Sequence, residues 1–156
     1  MHFPRVWRFL DRLSGDPALA SDIAQDTFVR LYRRGAPPDE PIAWLITVAL
    51  NLLRNRRSTE QRRQRLMSVV RSEATLADPS RGADETVEAA DTRGRVRAAL
   101  ARVSERERQL LLLRAEGYRY HELAAALALN PASVGALLAR AKRAFRAAYE
   151  ERDDAS

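Results

Sequence analysis

The sequence predicts an all-α protein: two small helical domains joined by an acidic linker, the second a helix-turn-helix. Three observations predict it. Apolar residues recur at three- and four-residue spacing in both halves, and no period-two strand pattern of any length interrupts them. Helix start and stop signals punctuate both halves. Charge is uneven: residues 1–71 hold 13 basic and 7 acidic side chains, residues 72–95 hold 3 and 6, and residues 96–156 hold 11 and 8. The division that follows is a helical domain over 1–71, a linker over 72–93 and a helix-turn-helix domain over 94–156.

The elements follow in order. Phe3 to Leu13 reads as a first helix. Asp16-Pro17 is an N-cap followed by proline at the first helical position. The helix it opens carries Leu19, Ile23, Thr27 and Leu31 on one stripe, with Ala20, Ala24 and Phe28 beside it, and Gly35 with Pro37-Pro38 ends it. Asp39-Glu40-Pro41 opens a third helix with Trp44, Leu45, Val48 and Leu52 spaced for one face, running on into NLLRNRRSTEQRRQR. The middle piece is poor in large apolar residues and reads as a tether whose second half runs into a helix. Ser104-Glu105-Arg106-Glu107 has capping-box spacing. Leu110, Leu111 and Leu113 follow, and Gly117 closes that helix. A short helix over Tyr120 to Leu127, a turn at Ala128-Leu129, and a helix opened by Asn130-Pro131 complete the helix-turn-helix pattern. The last helix has Val134, Leu138, Ala141 and Phe145 for packing.

Composition narrows the function. Apolar residues make up 46% of 156, enough for a core. The net charge of +6 favours a polyanionic partner, nucleic acid first and an anionic membrane surface second. Of the 27 basic residues 26 are Arg, the type that grips phosphate and guanine in two-pronged contacts, although a genomic base bias gives the same skew. With no Cys, disulfides and thiolate metal sites are excluded, and His2 and His121 lie too far apart in sequence to build a zinc site alone. Neither a metal nor a cofactor is expected. No apolar run approaches the roughly 18 residues of a membrane span and no signal-peptide pattern opens the chain, so a soluble, cytoplasmic protein is expected. No Ser-His-Asp grouping or Gly-rich phosphate loop is present, and an enzyme is not expected.

Four constellations stand out. Arg54, Arg56, Arg57, Arg62, Arg63 and Arg65 face one acid, Glu60, within a single helix end; this field suits phosphates and exceeds what a helix dipole needs. Asn51 and Asn55 share a helix face just before it and can bond base edges, though two Asn alone are often surface filler. In DIAQDTFVRLYRR, Asp22, Gln25, Asp26 and Val29 form a polar strip beside the apolar stripe; on spacing alone it is an ordinary solvated face. The terminal helix-turn-helix favours DNA over a plain helical hairpin, although Pro131 to Ala139 carries no charge and basic residues begin at Arg140, Lys142 and Arg143. Trp7, Trp44, Phe28 and Phe145 read as core residues.

GDPALASDIAQDTFVRLYRR, AWLITVALNLLRNRR and RVSERERQLLLLRAEGYRYHELAAALALNPASVGALLARAKRAF, in that order around a linker, resemble the extracytoplasmic-function sigma factors of bacterial RNA polymerase. The resemblance implies that Asp22, Gln25, Asp26 and Phe28 dock on the polymerase clamp helices. It implies that the helix with Trp44, Leu45, Val48, Ala49 and Asn51 opens the −10 element and captures a flipped base; Arg54, Asn55, Arg56 and Arg57, from the basic and amide run read above, are expected to bind the same DNA. It implies that Ser133, Gly135, Arg140, Lys142 and Arg143 lie at the −35 element, and that the linker threads the polymerase's RNA path.

The chain departs from the family pattern. Thr47 and Leu50 stand where a basic residue is usual, Asn55 where an Asp is common, Ala128 where the turn glycine belongs, and Gly135 and Leu137 where early Lys and Arg are frequent. Family members usually begin earlier, so the first helix is expected to be clipped. The expected function is promoter-specific initiation with core RNA polymerase and promoter DNA as partners, and the resemblance leaves room for an anti-sigma factor. The other readings are a stand-alone helix-turn-helix regulator, and an interaction protein that sequesters a partner.

Overall fold

The computed structural model describes residues 2–68 and 86–154, all helix, turn or short connection. The helices are α1 (Phe3–Ser14), α2 (Pro17–Arg34), α3 (Pro41–Met67), α4 (Val87–Arg102), α5 (Glu105–Ala115), α6 (Tyr120–Leu127) and α7 (Val134–Asp154), the last preceded by a 3-10 turn over Pro131–Ser133.

Local chemistry explains most ends. Asp16 Oδ1 accepts from the N–H groups of Ala18 and Leu19, and Gly15 and Gly35 take the left-handed conformation at the C-terminal ends of α1 and α2. Ser104 Oγ accepts from the Glu107 N–H, and Glu122 Oε1 accepts from the Arg119 N–H to cap α6. Asn130 Oδ1 accepts from the Ala132 N–H, so the last helix enters through the 3-10 turn. Thr86 Oγ1 accepts from the Ala89 N–H and starts α4 at Val87. Residues 87–93, at the end of the tether, are helical, started by the cap at Thr86 and by Glu88 in the first turn. The expected path of the linker lies mostly outside the described residues.

Ala128 holds φ 54 and ψ 48, the left-handed region an L side chain avoids. Here the turn between α6 and α7 carries Ala where glycine is at ease. Ala128→Gly is expected to stabilise the chain by about 1 kcal/mol, read from the urea midpoint; a lower midpoint would mean the turn is not strained.

The core joins both halves. Val6, Phe9, Leu10 and Leu13 of α1 meet Ile23 of α2, Leu45, Ile46 and Leu53 of α3, Leu110, Leu112 and Leu113 of α5, Leu123 of α6, and Val134 and Leu138 of α7 in one cluster. Two expected stripes shift. On α3, Ala43, Leu45, Ile46, Ala49, Leu50 and Leu53 are buried, while Trp44, Val48 and Leu52 are half-buried. The buried face is wider and rotated because α3 packs on α2 and also on α6. On α5, Leu112 is buried and Leu111 only half-buried. The sequence expectation of two tethered modules did not include this packing between them.

Candidate nucleic-acid interface

The basic helix α3 sorts its polar residues by face. At about 100° per residue, Asn51, Asn55 and Arg62 lie along the line opposite the buried face, with Arg54 and Arg65 alongside. All five are exposed. Val48 and Trp44 fall on the same line one and two turns earlier, and the Arg34 guanidinium sits 5.8 Å from the Trp44 ring centre. Arg56 and Arg57 flank the buried face on opposite sides. Arg56 reaches Asp22 at 3.9 Å and Asp26 at 3.8 Å on α2. Arg57 donates to the Leu13 carbonyl at 3.1 Å and lies 3.6 Å from Glu105. The structure therefore groups Asn51, Arg54 and Asn55, and separates Arg56 and Arg57 from them. The Arg56 pairs are long and solvated, worth a fraction of a kcal/mol, so they leave Arg56 free to swing to a phosphate.

On α2, Asp22, Gln25 and Asp26 are exposed and Phe28 is half-buried, its ring 5.4 Å from that of Phe3. Around Phe28 and Val29 lies an apolar patch whose other members sequence reasoning missed: Phe3 and, at 88% exposure, Tyr32. Its signal was present, since Val29 and Tyr32 stand four and seven residues beyond Gln25, off the buried stripe. The patch and the carboxylates form one continuous strip of α2, apolar beside acidic.

In the helix-turn-helix the chain turns through 120° between α6 and the last helix. Ser133, Ala136, Arg140 and Arg143 share one side of the last helix by spacing. Lys142 and Gly135 lie on a flank instead, Lys142 about 100° around from Arg143. A Cβ on Gly135 would meet the Tyr120 ring at 3.7 Å, so Gly135 faces α6. Leu137, where the family pattern has a basic residue, packs on the core.

One cluster was not foreseen. Arg5, Arg8 and Arg12 stand at i, i+3 and i+7 on α1 and converge on the turn after α5. Arg5 donates to the Glu116 carbonyl from Nε at 3.2 Å and Nη2 at 2.7 Å. Arg8 and Arg12 each bond the Glu116 carboxylate at 3.0 Å. The Arg5 guanidinium also lies 4.2 Å from the centre of the Tyr118 ring. Burial pushes the Tyr118 phenol up, against the opposing charge of Arg5, and its hydroxyl has no hydrogen-bond partner among the described residues. The three-Arg spacing was the only sequence signal for this cluster, and its partner lies more than a hundred residues away.

Two helical units, one with a basic outward helix and one ending in a helix-turn-helix, define a two-part DNA-binding protein. Its halves match known domains: residues 1–63 match Sigma-70 region 2, and residues 93–145 match Sigma-70, region 4. The ECF RNA polymerase sigma factor SigL of Mycobacterium tuberculosis is 30% identical over 155 residues, spanning 96% of this chain and 85% of that protein. The RNA polymerase sigma factor CarQ of Myxococcus xanthus is 30% identical over 147 residues, spanning 92% and 80%. The chain belongs to the extracytoplasmic-function RNA polymerase sigma factors. Its fold is similar to that of the sigma factor RpoE of Bartonella quintana, solved with the anti-sigma factor NepR, at a TM-score of 0.66 and 20% identity over 95% of this chain and 91% of that one.

Proposed function

We propose that this transcription initiation factor divides its work among three surfaces. The observation that carries the proposal is the outer face of α3, where Asn51, Arg54 and Asn55 stand together and exposed. Two amides on one line with a guanidinium alongside suit a melted strand: amides bond a base edge, and Arg holds the adjoining phosphate. Extruding a base costs a few kcal/mol, which its capture can offset. Asp22, Gln25 and Asp26, with Phe28 beneath, offer core polymerase an acidic and aromatic strip. Ser133, Arg140 and Arg143 contact the −35 duplex, with Lys142 and Gly135 on its edge. The factor works without covalent chemistry of its own, in the bacterial cytoplasm where polymerase and promoter meet. Because its structural neighbour was solved with an anti-sigma factor, a regulator of that class is a fitting partner for this chain also.

The test is reconstitution. Core polymerase with this protein, run on genomic fragments, gives transcript starts that require the protein; a set of starts unchanged by omitting it sinks the proposal. A second reading, a stand-alone helix-turn-helix regulator, requires tight specific duplex binding by the protein alone. Within the proposal, Arg143→Ala weakens holoenzyme binding evenly across −35 sequences and lowers the slope of log affinity against log salt by about 1. A changed base preference at −35 would show that Arg143 reads bases.

A further inference from the structure

The last part of α3 stands outside the bundle. Leu53 is its last buried residue, and Arg57, half-buried on the Leu13 carbonyl, is the last to reach another element among the described residues. From Ser58 to Met67 every residue is exposed. At 1.5 Å per residue this stretch is a free rod about 15 Å long. The run from Glu60 to Leu66 is Glu, Gln, Arg and Leu, all good helix formers, so propensity holds the rod without packing. Its charge is one-sided. At 100° per residue, Ser58, Arg62 and Arg65 continue the outer line of Asn51 and Asn55 to within about 40° on either side. Glu60 stands about 160° around from Arg62, turned away from that line. From the bundle outward the line therefore runs amide, amide, hydroxyl, guanidinium, guanidinium. Amides bond base edges; guanidiniums beyond them, with no amide beside them, suit phosphates, which carry no sequence.

Position selects the phosphates. Arg62 and Arg65 lie about 16 and 21 Å along the helix axis from Asn51. At 3.4 Å per base pair that is about five and six base pairs past a base held by Asn51. The helix-turn-helix half, which takes the −35 element, follows α3 in the chain, so the rod is directed upstream, where the DNA is still paired. We propose that the free end of α3 is a duplex grip, in which Arg62 and Arg65 hold phosphates of the paired DNA about five to six base pairs upstream of the captured base. Its partner is duplex of any sequence. A rigid rod matches the regular phosphate row of paired DNA, and anchoring the paired side beside the amides fixes where strand separation starts. The grip rests on the assignment of Asn51 to the −10 strand made above.

Two promoter forks test it with the holoenzyme, core polymerase plus the full chain. Both carry the −10 strand unpaired and lack the −35 element. In one the duplex ends at the upstream edge of −10; the other has one further turn of duplex of arbitrary sequence. Arg62→Ala combined with Arg65→Ala is expected to weaken binding to the long fork roughly tenfold at low salt, lower the slope of log affinity against log salt by about 2, and leave the short fork unchanged. Alanine favours helix, so the far-ultraviolet helix signal is expected to persist. Arg62→Lys with Arg65→Lys is expected to bind the long fork like the wild type, because a phosphate needs only the charge. Arg63→Ala removes the same charge about 100° around from Arg62 and is expected to cost little on either fork. Equal losses on both forks, no loss on the long one, a Lys pair as weak as the Ala pair, or an Arg63→Ala loss as large as that of the pair each overturn the grip. If neither fork needs the protein to be bound, the −10 assignment falls and the grip with it. If the short fork needs both the protein and Asn51 while the long fork ignores Arg62 and Arg65, the grip alone falls.

Discussion

Asn51→Ala is expected to lower transcript yield from a cognate promoter roughly ten- to a hundredfold while binding to core polymerase is unchanged. The size follows from the loss of one well-placed amide contact to a base, about 1–3 kcal/mol, at about 1.4 kcal/mol per factor of ten. The selectivity follows from position. Asn51 is exposed on the outer line of α3, away from the α2 strip that carries Asp22, Gln25 and Asp26. Reactivity of unpaired thymines at −10 is the measurement: it should fall with the variant while co-purification with polymerase persists. Loss of polymerase binding instead would move Asn51 into a different role.

Phe9→Ala is expected to cost about 3–5 kcal/mol, the upper range for truncating one core side chain. Phe9 is fully buried in the cluster where α1 meets its neighbours, so truncation leaves a cavity that packed helices cannot refill. Both tryptophans, Trp7 and Trp44, belong to the N-terminal half, so their fluorescence follows that half through urea unfolding. A midpoint near that of the wild type would mean the core around Phe9 collapses to fill the space.

The helices were legible because their signals are local. Asp16, Ser104 and Asn130 act as caps where the sequence places them, and Gly15 and Gly35 stop helices at left-handed turns. The candidate residues of α3 could be named from charge density, but not sorted. Arg54 and Arg56 look alike in sequence; only the packing around α3 shows that Arg56 turns toward Asp22 and Asp26, and Arg57 toward Leu13 and Glu105. The same cause hid the buried role of Leu50 and the wider apolar face. The grip of α1 on Glu116 was illegible for a plainer reason: nothing local marks a partner so far along the chain.

The most direct measurement is transcription by the reconstituted holoenzyme from a promoter library randomised at both elements, with every transcribed template sequenced. The division proposed between α3 and the last helix is that Asn51 and Asn55 read bases while Arg140 and Arg143 hold backbone. Selected bases are then expected to concentrate at −10, with weak, shape-like preference at −35. Strong base selection at −35 together with a tolerant −10 would contradict it.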